Sequence, residues 1–157
     1  FSAPKSVSLL AYVTGDKRIL GENGANMKAV ARAMAWAEKN LAEGRKDVEG
    51  RKVPVQTGNL VYALFQHDTS RALDPQAHVH AVIANLTKMP DGKWQALHAD
   101  KIWSNNTVIG SIYHAFLRQD RLEDVRGFRI GRHEEWLRLS DHMPLVLDLA
   151  LPGLQEA

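Results

Sequence analysis

Two β-type segments separated by a short polar stretch constrain the fold of this chain most strongly. Residues 59–67 (NLVYALFQH) and 77–86 (AHVHAVIANL) are rich in the branched and aromatic side chains that favour strands. Residues 68–75 between them are polar and numerous enough to turn the chain back. The sequence therefore predicts two strands that can lie side by side as antiparallel neighbours.

Three histidines stand at positions where such a pairing brings them together. His78 and His80 point to the same side of their strand, because successive side chains of a strand alternate between its faces. His67 ends the preceding strand and can meet them if the two strands are antiparallel. Three neutral imidazoles that converge on a divalent ion leave open coordination positions, and a phosphate oxygen can enter one of them. By ligand type, imidazole favours Zn, Cu, Fe or Ni over Mg or Mn.

A structural role is the alternative for each of these histidines, since a histidine on a strand is commonly a hydrogen-bonding residue and H-x-H pairs arise by chance. The other histidines show no comparable convergence, and surface or hydrogen-bonding roles are expected for them. They are His98, His114, His133 and His142.

Helical patterns precede and follow the two strands. Residues 26–41 carry apolar side chains at three- and four-residue steps and predict an amphipathic helix. Residues 6–13 predict either a helix capped by Ser6 and ended by Gly15 or a short buried strand. Residues 104–118 predict a last helix. Its expected apolar side consists of Val108, Ile112, Ala115 and Phe116.

The connections between these elements contain the expected turn residues. Residues 47–58 hold Gly50, Pro54 and Gly58 among charged residues and predict a turn-rich connection or a short hairpin. Residues 93–97 predict a third, paired strand after a turn at residues 89–92. This order of elements predicts an α+β domain with a largely antiparallel sheet.

Composition narrows the class of protein. The chain has 157 residues, of which 45% are hydrophobic and 24% charged, which is typical of a folded globular domain. It has no cysteine, so thiol nucleophiles, disulfides and cysteine-based zinc sites are excluded. The net charge of +2 neither requires nor excludes a polyanionic partner. No apolar stretch is long enough for a membrane span, so no membrane insertion is expected.

Three segments of the chain resemble the conjugative relaxases of the F-plasmid type, the MobF or TrwC-like group of HUH endonucleases. They are FSAPKSVSLLAYVTGD (1–16), TGNLVYALFQHDTSRALDPQAHVHAVIANLT (57–87) and KWQALHADKIW (93–103). The most specific motif is H-D-T-S-R-x-x-D-P-Q-x-H-x-H, which begins at His67 and ends at His80. The resemblance covers residues 1–119, expected to form a relaxase-like metal-binding core, and leaves 120–157 as a divergent tail of uncertain fold.

The resemblance implies an antiparallel sheet flanked by helices, here incomplete, with His67, His78 and His80 as ligands of a divalent metal ion, Mg or Mn. It implies nicking and rejoining of one strand of plasmid transfer-origin DNA, during which a tyrosine stays attached to the 5′ phosphate. The expected partners are single-stranded and hairpin DNA of the transfer origin and other conjugation proteins, in the cytoplasm. Lys5 and Arg71 lie in the matched segments and are expected to contact DNA phosphates. Trp94 and Trp103 could stack on bases, but core packing is the favoured interpretation for each.

The sequence departs from the family pattern at both ends. The family's nucleophilic tyrosines precede the FSAPKS segment, so the nucleophile is expected upstream of Phe1, and Tyr12, Tyr62 and Tyr113 do not match its position. No catalytic residue is therefore predicted within this chain, and whether the chain alone is an enzyme stays open. One alternative is a non-catalytic remnant that binds DNA or metal. Another is a phosphoesterase that uses Asp141 and His142 in the tail, for which further carboxylate ligands cannot be identified.

Overall fold

The α+β class is confirmed by a computed structural model, which describes residues 1–15, 17–21, 23–122, 128–130 and 145–147. Five helices are described: α1 (Lys5–Thr14), α2 (Lys17–Leu20), α3 (Ala25–Leu41), α4 (Asp100–Ser104) and α5 (Asn106–Leu122). The described strands are β1 (Glu43–Val48), β2 (Arg51–Gln56), β3 (Tyr62–Thr69), β4 (Pro75–Ile83), β5 (Thr87–Lys88), β6 (Trp94–Gln95), β7 (Phe128–Ile130) and β8 (Leu145–Leu147).

The chain divides into two units, Phe1–Leu117 and Arg118–Ala157. The first holds β1–β2, β3–β4 and β5–β6, and each of these is an antiparallel pair. In the second, β7 pairs with β8 antiparallel. Asp141 and His142, the residues proposed for a tail phosphoesterase, lie outside the described residues.

The expected β3–β4 hairpin is present, and the start of the chain adds to it. Ser2 lies opposite His78 in an antiparallel bridge. The backbone N–H of Val79 donates to the Phe1 carbonyl at 2.8 Å, and that of Ala3 donates to the Ala77 carbonyl at 2.9 Å. Strand β4 is thus paired on both edges, and α1 packs against it. This arrangement holds one face of β4 in the protein interior.

Residues 5–14 form a helix, which decides between the two expectations for this segment. Gly15 ends α1 in the left-handed conformation, at φ 64°, and its N–H donates to the Ala11 carbonyl. The expected cap at Ser6 is wrong, because Pro4 is the N-cap residue and Ser6 lies inside the first turn. No side chain caps this end of α1, and the Pro4 carbonyl accepts hydrogen bonds from the backbone N–H groups of Val7 and Ser8.

The predicted helix 26–41 is confirmed as α3. Its core face consists of Asn26, Ala29, Val30, Ala33, Met34, Ala37 and Leu41. The predicted apolar side of α5 is wrong. Over residues 106–120, for which burial is described, its buried residues are Ile109, Tyr113 and Leu117, whereas Val108 is 44% exposed. Both stripes have helical spacing, so the periodicity could not choose between them. The Tyr113 hydroxyl donates to Asn26 Oδ1 at 2.8 Å, and this contact helps to fix the observed face.

Of the two predictions for residues 47–58, the short hairpin is confirmed, because β1 and β2 form an antiparallel pair there. The strand expected at 93–97 is reduced to Trp94–Gln95, which pairs with Thr87–Lys88 across the predicted 89–92 turn. The core interpretation of the two tryptophans is wrong, since Trp94 is 51% and Trp103 74% exposed. None of the helices that the structure describes has the length and apolar character needed to cross a membrane.

Candidate metal centre and nucleic-acid interface

The register of β3 and β4 places the three histidines on one face of the hairpin. His67 lies directly opposite His78, and Phe65 lies opposite His80. Because side chains alternate along each strand, His67, His78 and His80 project from the same face. The other face of β4 is buried at Ala77 and Val79. Alternation with one face packed against the protein therefore directs the histidines away from the core.

The three imidazole rings form a nearly equilateral triangle. The ring centroids of His67 and His78 are 5.1 Å apart, those of His67 and His80 4.9 Å, and those of His78 and His80 5.0 Å. His67 stacks on His78 at an interplanar angle of 17°, and His80 meets both rings nearly edge-on. The three histidines that the sequence predicted to meet are therefore brought together on one face of the hairpin.

The backbone helps to orient one of these rings. The Nδ1 atom of His78 lies 3.0 Å from the carbonyl oxygen of Gln76. A carbonyl only accepts hydrogen bonds, so Nδ1 carries the proton in this contact, and in the neutral ring Nε2 is the nitrogen with the free lone pair. The Gln76 side chain in turn donates to Ser2 Oγ at 3.3 Å. A ligand histidine held through its second nitrogen is the usual arrangement around protein-bound metals.

The surroundings of His80 favour its neutral form. Desolvation, followed by the charges of His67, His78 and the terminal amine, lowers the pKa of His80. Neutral imidazole is the form that binds a metal ion. His67 and His80 are exposed and His78 half-buried, so solvent or a ligand can reach the rings. Within the described part of the chain, no group of three or more His, Asp or Glu side chains is arranged to hold a metal ion as the side chains are placed. The imidazoles therefore fit an ion by donor type and proximity, once ring rotation aims one nitrogen of each at it.

The two residues expected to contact DNA are both exposed. Arg71 lies in the turn between β3 and β4, at the end of the hairpin that carries the His67–His78 pair. That turn is closed by the Ser70 N–H, which donates to the Asp74 carbonyl at 2.9 Å. Lys5 is the first residue of α1. Arg71 is thus close to the histidines along the chain, while the DNA contacts of both residues stay predictions.

The pKa of each of the three tyrosine hydroxyls is raised above the value of a free tyrosine. Tyr62 lies on the opposite face of β3 by alternation, and burial followed by the charge of Glu38 raises its pKa. Tyr113 is buried, and burial raises the pKa of its hydroxyl. Desolvation and the neighbouring Asp68 carboxylate raise the pKa of Tyr12 to about 12. Each phenol therefore holds its proton more firmly than a free tyrosine.

A second feature, which the sequence reasoning did not single out, is the exposed hairpin of β1 and β2. We call it the basic ribbon, because it carries the exposed residues Arg45, Lys46, Arg51 and Lys52. Glu49 and Gly50 join its strands with φ values of 50° and 78°, as a tight type I′ hairpin turn requires. The Gly50 N–H donates to Asp47 Oδ1 at 2.9 Å. The repeated Arg-Lys pairs on both sides of Glu49-Gly50 were the available signal.

An open cleft of about 400 Å³ lies beside the basic ribbon. Arg45 and Lys52 line it, together with His98 and Asp100. The Nε2 atom of His98 lies 3.0 Å from Asp100 Oδ2, so this histidine has the hydrogen-bonding role expected for it. Lys101 forms an ion pair with Glu43 at 3.0 Å. Side chains of both charges therefore line the cleft, whereas the charged side chains of the two ribbon strands are mainly basic.

Known proteins resemble this chain in sequence and in fold. The family model for the TrwC relaxase matches residues 1–140, beyond residue 119 where the motif resemblance ends. Two Escherichia coli proteins called multifunctional conjugation protein TraI are 43% and, in strain K12, 39% identical over 148 residues. These alignments cover 87% of this chain and 8% of each relative, so the chain spans less than a tenth of their length.

Solved structures of the conjugative relaxase TrwC match with a TM-score of 0.76 and 44% sequence identity. One is a copper-bound complex with oriT DNA, and the match covers 84% of this chain and 44% of that one. Another holds a 27-mer DNA comprising the recognition hairpin and the cleavage site, and this match covers 85% of this chain and 46% of that one.

Proposed function

The chain belongs to the TrwC relaxase family, and on that premise we propose that it forms part of a conjugative DNA relaxase. Such a protein nicks and rejoins one strand of plasmid transfer-origin DNA by transesterification at phosphorus. The triangle of His67, His78 and His80 on one open face of β3–β4 is the observation that carries this proposal. Three imidazoles gathered at a reachable surface suit the task of holding a cation against a DNA phosphate.

We propose that His67, His78 and His80 hold a divalent metal ion. When bound, the ion polarises the scissile phosphate and stabilises the charge that develops during strand cleavage. The ligand set suits Cu, Ni or Zn better than Mg or Mn, and a TrwC relative is described as copper-bound. The carbonyl of Gln76 keeps His78 oriented, and Arg71 in the adjoining turn neutralises the negative charge of a neighbouring phosphate.

The basic ribbon supplies a second surface for DNA in this proposal. A two-stranded β-ribbon fits the major groove of duplex DNA. Lys46 and Arg51 lie on one face of the ribbon, and neither forms an ion pair with a residue that the structure describes. One TrwC relative was solved with its recognition hairpin, and we propose that the ribbon contacts duplex DNA of that kind. Lys5 would add a phosphate contact from α1.

The attacking tyrosine is assigned to none of Tyr12, Tyr62 and Tyr113. Their raised pKa values oppose formation of the phenolate, and Tyr62 faces away from the histidines. We therefore expect this polypeptide by itself to form no covalent adduct with a transfer-origin oligonucleotide in the presence of a divalent ion. A band of lower mobility on a denaturing gel would contradict this expectation.

Two further parts of the proposal follow from the family. Transfer-origin DNA is carried by a plasmid, so the reaction is placed in the cytoplasm, where plasmids reside. We also propose that other conjugation proteins are partners of this chain, because its relatives are named as conjugation proteins. The remnant alternative keeps metal and DNA binding and differs only in lacking strand cleavage.

Calorimetric titration of the purified chain with Ni²⁺ tests the metal site. We expect His67→Ala to weaken binding on the order of 100-fold, because removal of one ligand leaves two imidazoles. His98→Ala is the matched control and should bind Ni²⁺ like the unmodified chain, since His98 pairs with Asp100. His142→Ala distinguishes the histidine triad from the phosphoesterase alternative. If this variant lost Ni²⁺ binding and His67→Ala bound Ni²⁺ normally, the proposed site would be overturned.

A further inference from the structure

Two large apolar side chains lie exposed on one face of the β3–β4 hairpin. Phe65 is 51% exposed and Val82 is 57% exposed. Phe65 lies in the middle of β3 (Tyr62–Thr69), and Val82 is the residue before the last of β4 (Pro75–Ile83). On the opposite face of β4, Val79 is only 1% exposed. The protein therefore has a buried face on this hairpin and nevertheless leaves a phenylalanine on the open one.

The exposed pair continues the histidine face. Phe65 lies directly opposite His80, and Val82 lies opposite Ala63. Directly opposed residues of an antiparallel pair have Cβ atoms about 4.5–5.5 Å apart. Phe65 also precedes His67 by two residues, so both point the same way. One edge of the histidine triangle is thus bordered by an aromatic ring that solvent can reach.

We propose that Phe65 is a positioning residue on which one base of single-stranded DNA stacks, next to the phosphate held at the histidines. This inference rests on the proposed function, because it takes the histidine face as the site of the scissile phosphate. A single-stranded base has an open π-face, and aromatic side chains in single-strand-binding proteins commonly use such stacking. Stacking tolerates any base, so Phe65 fixes the position of the strand and not its sequence.

The character of the patch favours a base over a docked protein segment. The exposed apolar side chains of the opposed pairs on this face are one ring, one valine and the small Ala63, and polar imidazoles flank them. Protein-docking patches are usually larger and continuous, on the scale of several hundred Å². A nucleotide carries its negative charge on the phosphate and not on the base. None of the residue pairs on this face, from Ala63–Val82 to His67–His78, includes a carboxylate that would repel that phosphate.

Binding of a fluorescent oligothymidylate to the 157-residue chain, followed by anisotropy in EDTA, tests the inference without any metal. We expect Phe65→Ala to weaken binding about tenfold, within the range measured for loss of one stacked base. Phe65→Trp should restore binding, and Phe65→Leu should not, because leucine is apolar but has no ring. Val13→Ala, at another exposed apolar residue, should bind like the unmodified chain.

A second readout locates the base. A single 2-aminopurine moved along the oligonucleotide should be quenched at one position by the unmodified chain, and that quenching should vanish with Phe65→Ala. Equal affinity of Phe65→Ala and the unmodified chain would overturn the inference alone. So would equal rescue by leucine and tryptophan, which would indicate apolar packing. If the unmodified chain binds no single-stranded DNA, the proposed function falls as well.

Discussion

The two longest antiparallel hairpins of the first unit, β1–β2 and β3–β4, share a topology and differ in what lies against them. Strand β4 has α1 packed against it and is buried at Ala77 and Val79. The basic ribbon has no fully buried residue other than Gly44. A packed face fixes the register, since a slip by one residue would carry every side chain to the wrong side. The histidines depend on that fixed register, whereas the ribbon needs only an exposed basic surface.

The turns differ in the same sense. Two residues join the ribbon strands, and both have positive φ. The turn between β3 and β4 is longer, and a register irregularity lies between His67 and Thr69. Leu73 in that turn also has a positive φ, of 62°. Local turn chemistry therefore specifies the ribbon, while packing specifies the histidine hairpin. Four sets of substitutions test this contrast.

The largest difference between the two hairpins is expected in the free energy of unfolding, when one valine on each is changed to alanine. Val79→Ala should lower the free energy of unfolding by about 2 kcal/mol, because it removes buried methyl groups and leaves a cavity. Val53→Ala, at a position 41% exposed, should change it by less than about 0.5 kcal/mol. Urea unfolding followed by circular dichroism measures both. Equal losses would show that the ribbon is packed as firmly as β4.

Charge reversal on the ribbon should change DNA binding and leave the histidine hairpin intact. We expect Lys46→Glu and Arg51→Glu each to weaken binding of a DNA hairpin roughly tenfold. Each should also reduce the slope of log affinity against log salt concentration by about one, which is the release of one ion fewer. Lys28→Glu, on α3, is the matched control and should have a smaller effect. The readout is affinity measured over a range of salt concentrations. An unchanged salt slope in both ribbon variants would remove the ribbon from the DNA interface.

The turn of the ribbon should be sensitive to a side chain at Gly50. Gly50 has φ 78°, so Gly50→Ala should destabilise the chain by about 1 kcal/mol although no atom lies within 4 Å of the added Cβ. Gly110→Ala is the opposite case, since Gly110 lies within α5 and a Cβ there also meets nothing within 4 Å. It should stabilise the chain by up to about 1 kcal/mol. Thermal unfolding measures the two signs, and destabilisation by both would contradict the backbone explanation.

The smallest effect is expected from the exposed Asp47–Lys52 pair of the ribbon. The hydrogen bond from Lys52, followed by that from the Gly50 N–H, lowers the pKa of Asp47 below its usual value. A lowered folded-state pKa adds stability above the unfolded-state pKa, and this is lost as the pH falls through the folded value. Lys52→Ala should move the pKa of Asp47 upward in an NMR titration. No movement would assign the shift to the turn alone.

Much of the fold followed from local patterns. The periodicity of residues 26–41 predicted α3, and the polar stretch between two apolar segments predicted the β3–β4 hairpin. The spacing of His78 and His80 put both on one face, because alternation along a strand is independent of context. The burial of Tyr113 in place of Val108 on α5 was not predictable, since it depends on the contact with Asn26 from α3.

The sequence by itself determined the types of the longer elements, the family resemblance and the three histidines that can meet on one face. Only the tertiary structure decided that α1 covers one face of β4 and leaves Phe65 and the histidines on the other. It also decided that Trp94 and Trp103 are exposed and that a basic ribbon stands beside a cleft. The physical reason is that periodicity reports which side chains share a face, whereas burial of that face depends on elements distant in the chain.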